Sequence, residues 1–154
     1  MGKAIEDRYG NRIVPQGNDA SMTEMEIRLF LGDADPDANL LLDDYKFSSE
    51  EIRTCMNLAM DKWNDTPPDI YRGDYDKFPY RSILLLGTAA YLLSIAAHKY
   101  RANSLPINAG GVSVNDQGKS AEYDNAAANL RAEFLQAVRM KKRELNCNLG
   151  WGFA

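Results

Sequence analysis

Histidine and cysteine, which many catalytic and metal sites require, are scarce in this sequence. His98 is the one histidine, so any Ser/His/Asp or Cys/His arrangement would have to be built on it. Cys55 and Cys147 lie far apart and form neither a CxxC pair nor a Cys/His spacing, which indicates no zinc site and no disulfide framework. We therefore predict a non-enzymatic protein with no metal or cofactor, in a reduced intracellular compartment.

An excess of positive charge and a membrane-length apolar run are also missing. The sequence has eighteen basic and twenty-two acidic residues, a net charge of −4. This charge argues against a protein that holds duplex DNA by neutralising its phosphates. The longest apolar stretch, Ile83 to Ala97, is shorter than the roughly 20 residues that span a bilayer. The first residues include acidic side chains and no apolar core, which is not typical of a signal peptide. We predict a buried helix and no membrane anchor.

The length of 154 residues suits one domain with tails. Residues 1–21 are rich in glycine, proline and asparagine without periodicity, which predicts an extended or disordered N-terminal arm. Residues 22–145 are predicted to form a helical domain, and residues 146–154 a C-terminal tail. The predicted fold class is mainly α, a small bundle of three to four helices with a short β-hairpin and extended N- and C-terminal arms.

The first two helices are predicted from apolar spacing and capping residues. The stretch from Met22 to Leu31 favours a short helix with Thr23 near its start, although partial alternation also allows a strand. Ser48 and Glu51 form an S-x-x-E capping box in front of an apolar stripe, so a second helix begins there. That helix must end before Pro67, because proline cannot continue a helix.

The third predicted helix, from Tyr80 to Arg101, is apolar on nearly every face. Such a helix must be surrounded by protein, and one short domain can hardly cover it alone. We therefore expect it to contribute to subunit contacts as well as to the core. The residues predicted to pack in the core and between subunits are Leu84, Leu85, Leu86, Tyr91, Leu92 and Leu93.

The C-terminal third begins with a break in the helical pattern. Two short apolar runs around Gly110-Gly111 predict a β-hairpin, and a last helix is predicted from Ser120 to Glu144. Its final turns carry a basic cluster, where cations favour the helix dipole. The aromatic tail beyond it either inserts into a partner's pocket or folds back on its own domain. The residues predicted to contact partners or neighbouring subunits are Leu149, Trp151, Phe153, Arg139, Lys142 and Arg143.

One motif resembles a calcium loop but is incomplete. Asp33, Asp35 and Asp37 have the spacing of an EF-hand, yet Ala38 stands where the sharp turn needs glycine and Asp44 where a bidentate glutamate is usual. A solvated acidic turn is the favoured interpretation.

A second motif and two single residues also favour structural interpretations. Gly118-Lys119-Ser120 closes a phosphate-loop signature, but Ser113 stands where its first glycine is required. His98, at the polar end of its helix, is interpreted as a helix-terminal cation, and Cys55, on an apolar stripe, as a core residue. We predict no nucleotide site.

The order of these elements resembles the head-to-tail connector (adaptor, neck or head completion) proteins of tailed bacteriophages. Together the stretches that carry the resemblance span residues 22 to about 145. These stretches are Ile27-Arg28-Leu29-Phe30-Leu31-Gly32-Asp33, Phe47-Ser48-Ser49-Glu50-Glu51-Ile52, the segment from Leu84 to Leu93, and Asn103-Ser104-Leu105 leading into Gly110-Gly111-Val112-Ser113-Val114.

The resemblance implies a structural virion protein. It implies a homo-oligomeric, dodecameric ring below the portal protein, in the virion neck, assembled in the host cytoplasm. It further implies contact with the portal and with the next neck or tail-completion protein, and transient passage of double-stranded DNA through an axial channel. The longer N-terminal arm and the aromatic tail depart from the family pattern.

An alternative hypothesis is a small helical DNA-binding regulatory protein. It would use the basic cluster, residues Arg139, Lys141, Lys142 and Arg143, to contact phosphates. Cations at a helix end more commonly form a solvated face.

Overall fold

The computed structural model describes residues 22–38, 44–103, 107–109, 112–114 and 117–150, and the side chains of residues 22–37, 44–102 and 118–148. Within these residues the chain is mainly helical, which confirms the predicted fold class at that level. Its helices are α1 (Glu24–Leu31), α2 (Ser49–Asp65), α3 (Arg81–Asn103) and α4 (Gln117–Gly150), with 3-10 turns at Pro36–Ala38 and Tyr75–Lys77.

Capping boxes begin both α1 and α2. The Glu26 carboxylate accepts from the Thr23 N–H at 2.7 Å, and the Thr23 hydroxyl accepts from the Glu26 N–H at 3.3 Å. Ser48 and Glu51 repeat this reciprocal pair at 2.9 and 3.2 Å. Gly32 ends α1 at a φ of 69°, which a side chain would disfavour. Both predicted helices are confirmed, and the strand alternative for the first is wrong.

Helix α3 lies between α2 and α4. Lys99 of α3 ion-pairs with Glu51 at the start of α2. At the opposite end, the Tyr80 and Trp63 ring centroids lie 5.6 Å apart, so α2 and α3 run antiparallel. Ser120 near the start of α4 donates to a carbonyl in the last turns of α3 at 3.2 Å, so α4 runs back along α3. The predicted helix from Tyr80 to Arg101 is confirmed as the central element.

An aromatic cluster fixes the connection from α2 to α3. The Trp63 indole N–H donates to the Tyr71 carbonyl at 2.8 Å, and its ring meets Phe78 edge-on at 4.9 Å. Tyr80 packs against both Phe78 and Trp63. The loop is therefore anchored by buried rings. The largest buried apolar side chains elsewhere in the core are Ile27, Phe47, Ile52, Leu84, Leu92, Phe134 and Val138.

Two three-residue strands follow α3. β1 (Ile107–Ala109) and β2 (Val112–Val114) run antiparallel. The predicted turn, Gly110-Gly111, lies outside the described residues, as do the side chains of both strands. The hairpin as a unit therefore stays a prediction, as does the N-terminal arm of residues 1–21, which also lies outside the described residues.

Helix α4 is longer than predicted. It continues to Gly150, whereas the apolar stripe had suggested an end near Glu144. The basic cluster therefore lies inside the helix and not in its last turns, so the predicted helix-dipole role for these cations is wrong. The first residues of the predicted tail, 146–150, are helical, and the rest of that tail, residues 151–154, lies outside the described residues.

Candidate interaction surfaces

Helix α1 exposes a face of large apolar side chains. Met25 is 50% exposed, Leu29 64% and Phe30 47%. Met25 and Leu29 are four residues apart and so lie on one side of the helix. Ile27, by contrast, is fully buried. An isolated exposed apolar residue is ordinary, but three on one two-turn helix form a patch suited to binding another protein surface.

Helix α3 is only partly covered by the part of the chain that the structure describes. Of the residues predicted to pack there, Leu84 and Leu92 are buried, whereas Leu85, Leu86, Tyr91 and Leu93 remain partly exposed. Arg81–Ala102 is long and apolar enough to cross a membrane by length and composition, with 50% of its most apolar window buried. The core helix of a soluble protein passes the same test, so this feature is weak evidence for a membrane. Leu85, Leu86 and Tyr91 also pack against the core, so each keeps only part of its apolar surface accessible.

An open groove of about 560 Å³ lies where the start of α3 meets α1 and α4. Its apolar wall is made by Met22, Pro79, Tyr80, Ile83 and Leu85.

Two cations border this groove, and each has an acidic partner in the same chain. Arg81 donates to the Glu26 carboxylate, and Lys141 donates to the Glu144 carboxylate at 2.9 Å. The Lys141 ammonium also lies 4.9 Å from the centre of the Tyr80 ring. The groove therefore presents aromatic and apolar surface edged by neutralised charge, which suits an uncharged, aromatic occupant better than an anion.

The structure divides the basic cluster into different environments. Lys142 is 0% exposed, and its ammonium donates to the Thr66 carbonyl and, at 3.3 Å, to the Pro68 carbonyl. Burial lowers the pKa of this ammonium below 10.5. Arg139 and Arg143 are exposed. The predicted surface contact through Lys142 is therefore wrong, because its side chain joins α4 to the segment that follows α2. The DNA-binding hypothesis is weakened as well, since this ammonium is not exposed to a phosphate.

The acidic turn also differs from its interpretation as solvated. Asp33 is buried, and its carboxylate accepts from Arg28 at 3.0 Å and from the backbone N–H groups of Lys46 and Phe47 at 2.7 and 3.2 Å. Asp33 thus connects α1 to the segment before α2. Within the part of the chain that the structure describes, no group of three or more His, Cys, Asp or Glu side chains could hold a metal ion.

A polar aromatic cluster at the far end of the bundle was not predicted from the sequence. Tyr100 and Tyr123 stack at 5.2 Å, and the Lys46 ammonium donates to the Tyr123 hydroxyl. Burial lowers the pKa of Lys46, with the nearby Lys119 ammonium acting in the same direction. These residues are distant in sequence, so only the folded chain brings them together. They hold α4 against the segment before α2.

The single residues considered for chemistry have structural environments. Cys55 is fully buried, and burial raises the pKa of its thiol to about 11, which keeps it protonated at neutral pH. This agrees with its predicted place in the core. His98 is exposed on α3, and Cys147 is exposed on α4.

The structure describes only the first of the predicted tail contacts. Leu149 lies in the last turn of α4, and Trp151 and Phe153 lie outside the described residues. Asn146, Cys147 and Asn148 are exposed, so the end of α4 leaves the domain.

Comparison with known proteins gives no relative. No protein-family model, no curated protein and no solved structure matches the chain. What the structure defines is a mainly helical protein with exposed or partly exposed apolar side chains on α1 and α3 and a groove.

Proposed function

We propose that the chain is a non-enzymatic structural protein of tailed bacteriophages, a connector that forms a dodecameric ring between the portal and the tail or next neck protein. Its place is the neck of the virion, after assembly in the host cytoplasm, and double-stranded DNA passes through the axial channel. The proposal rests on the sequence resemblance and on the uncovered apolar surfaces.

The observation that carries the proposal is the incomplete cover of α3. Leu85, Leu86 and Leu93 keep part of their apolar surface in solvent although their helix is the centre of the bundle. The exposed side of α1 adds a second patch. Contact with further copies or with the portal would bury these partly exposed apolar side chains, and in this proposal that contact is their function.

The charge of the chain is better suited to a channel through which DNA slides than to a site that holds DNA tightly. The net charge is −4, and two of the four cations in the basic cluster, Lys141 and Lys142, are engaged inside the chain. A protein that holds DNA tightly presents many free cations to the phosphates, and a channel through which DNA slides must avoid that.

Light scattering and negative-stain imaging test the proposal. The purified full chain is measured alone and after mixing with portal protein, and we expect rings to form in at least the mixed sample. A monodisperse monomer that does not bind portal would contradict it. A gel shift with duplex DNA serves as the parallel measurement, since retardation that weakens as salt rises would favour the regulatory alternative.

A further inference from the structure

The end of α4 and the groove at the start of α3 are two parts of this chain that complement each other. The sequence from Asn146 to Ala154 contains no charged side chain and carries Leu149, Trp151 and Phe153. The groove offers the Tyr80 ring and aliphatic side chains, and its bordering cations already have acidic partners. The apolar, aromatic lining of the groove and its paired charges therefore match a segment that is aromatic and has no charged side chain.

The direction of α4 carries the tail away from the groove of its own chain. Lys141 lies in the groove, and α4 continues to Gly150. At about 1.5 Å per residue, Gly150 is roughly 13 Å further along the axis. Phe153 is at most about 11 Å of extended chain beyond Gly150, so the two rings could meet the groove of their own chain only if the tail reversed at once and ran back along α4. The groove of a second copy needs no such reversal.

We propose that the groove between α1, α3 and α4 receives Trp151 and Phe153 from a second copy of this chain. The N-terminal arm fits the groove less well, because residues 1–21 carry both acidic and basic side chains. A tail that enters the groove of the next copy joins two different surfaces, and such a head-to-tail contact generates a closed ring when the rotation between copies closes. The inference thus rests on the proposed function and identifies one contact between subunits of the ring.

A peptide-binding measurement tests this contact. The probe is a fluorescent peptide of residues 146–154 with Cys147→Ser, which prevents disulfide formation. The receptor is the full chain carrying Trp151→Ser and Phe153→Ser, so that its own tail does not compete. We expect a saturable rise in anisotropy, and a peptide with Trp151→Ala and Phe153→Ala is expected to bind at least about tenfold more weakly.

A blocking variant locates the peptide in the groove. Ser82 is exposed and lines the groove, so Ser82→Trp in the receptor fills it from the solvent side without disturbing the core. The matched control is Asn129→Trp, at an exposed position on α4 outside the groove lining. We expect Ser82→Trp to weaken binding at least about tenfold and Asn129→Trp to leave it within about twofold. Circular dichroism establishes that both variants fold.

Several outcomes would overturn the tail contact. These are absence of peptide binding, binding that Ser82→Trp does not weaken, and binding that appears only after deletion of residues 1–21, which would assign the groove to the arm. Ring assembly is scored separately by scattering with portal. Rings that form equally well with Trp151→Ser and Phe153→Ser would reject the tail contact while the connector function stands. Peptide binding by a chain that never forms rings would support the contact and reject the connector function.

Discussion

Gly87 is a residue at which α3 packs closely against both neighbouring helices. A Cβ atom at this position would lie 2.8 Å from Cε2 of Phe134 and 2.9 Å from Cβ of Ala59. Such an overlap costs typically about 1–3 kcal/mol, which exceeds the gain of at most about 1 kcal/mol that alanine brings to a helix. We expect Gly87→Ala to lower the free energy of unfolding measured in urea.

Gly118 provides the matched control for this substitution. It lies in the first turn of α4, and an added Cβ would meet no atom within 4 Å. We expect Gly118→Ala to leave stability unchanged or to raise it by up to about 1 kcal/mol. Equal losses from both substitutions would show that close packing at Gly87 is not the cause.

Thr88 carries a buried hydroxyl with no hydrogen-bond partner among the described residues. A polar group desolvated in this way costs about 1–3 kcal/mol, whereas valine has nearly the same shape without the hydroxyl. We expect Thr88→Val to raise the free energy of unfolding by roughly 1 kcal/mol. Thr88→Ser, which keeps the hydroxyl and removes a methyl group, is expected to lower it. A destabilised Thr88→Val variant would mean that the hydroxyl is paired in solution.

The buried thiol of Cys55 is expected to make the stability of the fold decrease with pH in the alkaline range. Burial raises the pKa of its thiol from 9.0 to about 11, so the unfolded chain loses this proton before the folded chain does. The resulting stabilisation is complete below pH 9 and is lost as the pH rises through 11. Between pH 9 and pH 11 we expect the free energy of unfolding of the native chain to fall by roughly 2 kcal/mol more than that of the Cys55→Val variant. This difference follows because one pKa unit corresponds to about 1.4 kcal/mol.

Urea unfolding of both chains at pH 8 to 11 measures this difference. Tyr80, whose pKa burial raises to about 12, is common to both chains, so its titration cancels in the comparison. Parallel pH profiles for the two chains would mean that the thiol titrates alike in the folded and unfolded states.

At the scale of helices, neighbouring lysines on α4 separate a structural cation from a surface one. Lys142→Met removes the donor to the Thr66 and Pro68 carbonyls and is expected to lower the free energy of unfolding by about 1–3 kcal/mol. Lys141→Met breaks the partly exposed ion pair with Glu144 and removes the ammonium from the Tyr80 ring, for which about 0.5–1 kcal/mol is expected. Thermal or urea unfolding of both variants tests this, and reversed magnitudes would refute the assignment of Lys142.

Helix positions with local signals were predictable from the sequence. Helix α2 is delimited by the capping box of Ser48 and Glu51 at its start and by the prolines after Asp65 at its end. Helix α3 was predictable from its continuous apolar composition. The end of α4 was not predictable in the same way, because residues 145–150 carry no strong stop before Gly150. The burial of Lys142 was equally hidden, since its partners Thr66 and Pro68 are more than seventy residues away in sequence.

At the scale of the whole molecule, the apolar surface was only partly predictable. The composition of α3 indicated that one chain would not cover it, and the structure leaves Leu85, Leu86 and Leu93 partly exposed. The exposed side of α1 was not predicted, because Ile27 and Leu29 are both apolar in sequence and only packing shows which of them is buried. The groove was not predictable either, because the three helices that line it are far apart in sequence and meet only in the folded chain.

The α1 patch gives a test of assembly that leaves folding intact. Leu29→Asp introduces a charge at a position that is 64% exposed, where substitutions usually change stability by less than about 0.5 kcal/mol. If copies or the portal cover this patch, burying the new carboxylate is costly, and ring formation is expected to fall sharply in light scattering. Met140→Asp, at a position 62% exposed on α4, is the matched control and is expected to assemble normally. Unimpaired assembly of a folded Leu29→Asp variant would remove α1 from the interface and leave the uncovered side of α3 as its remaining candidate.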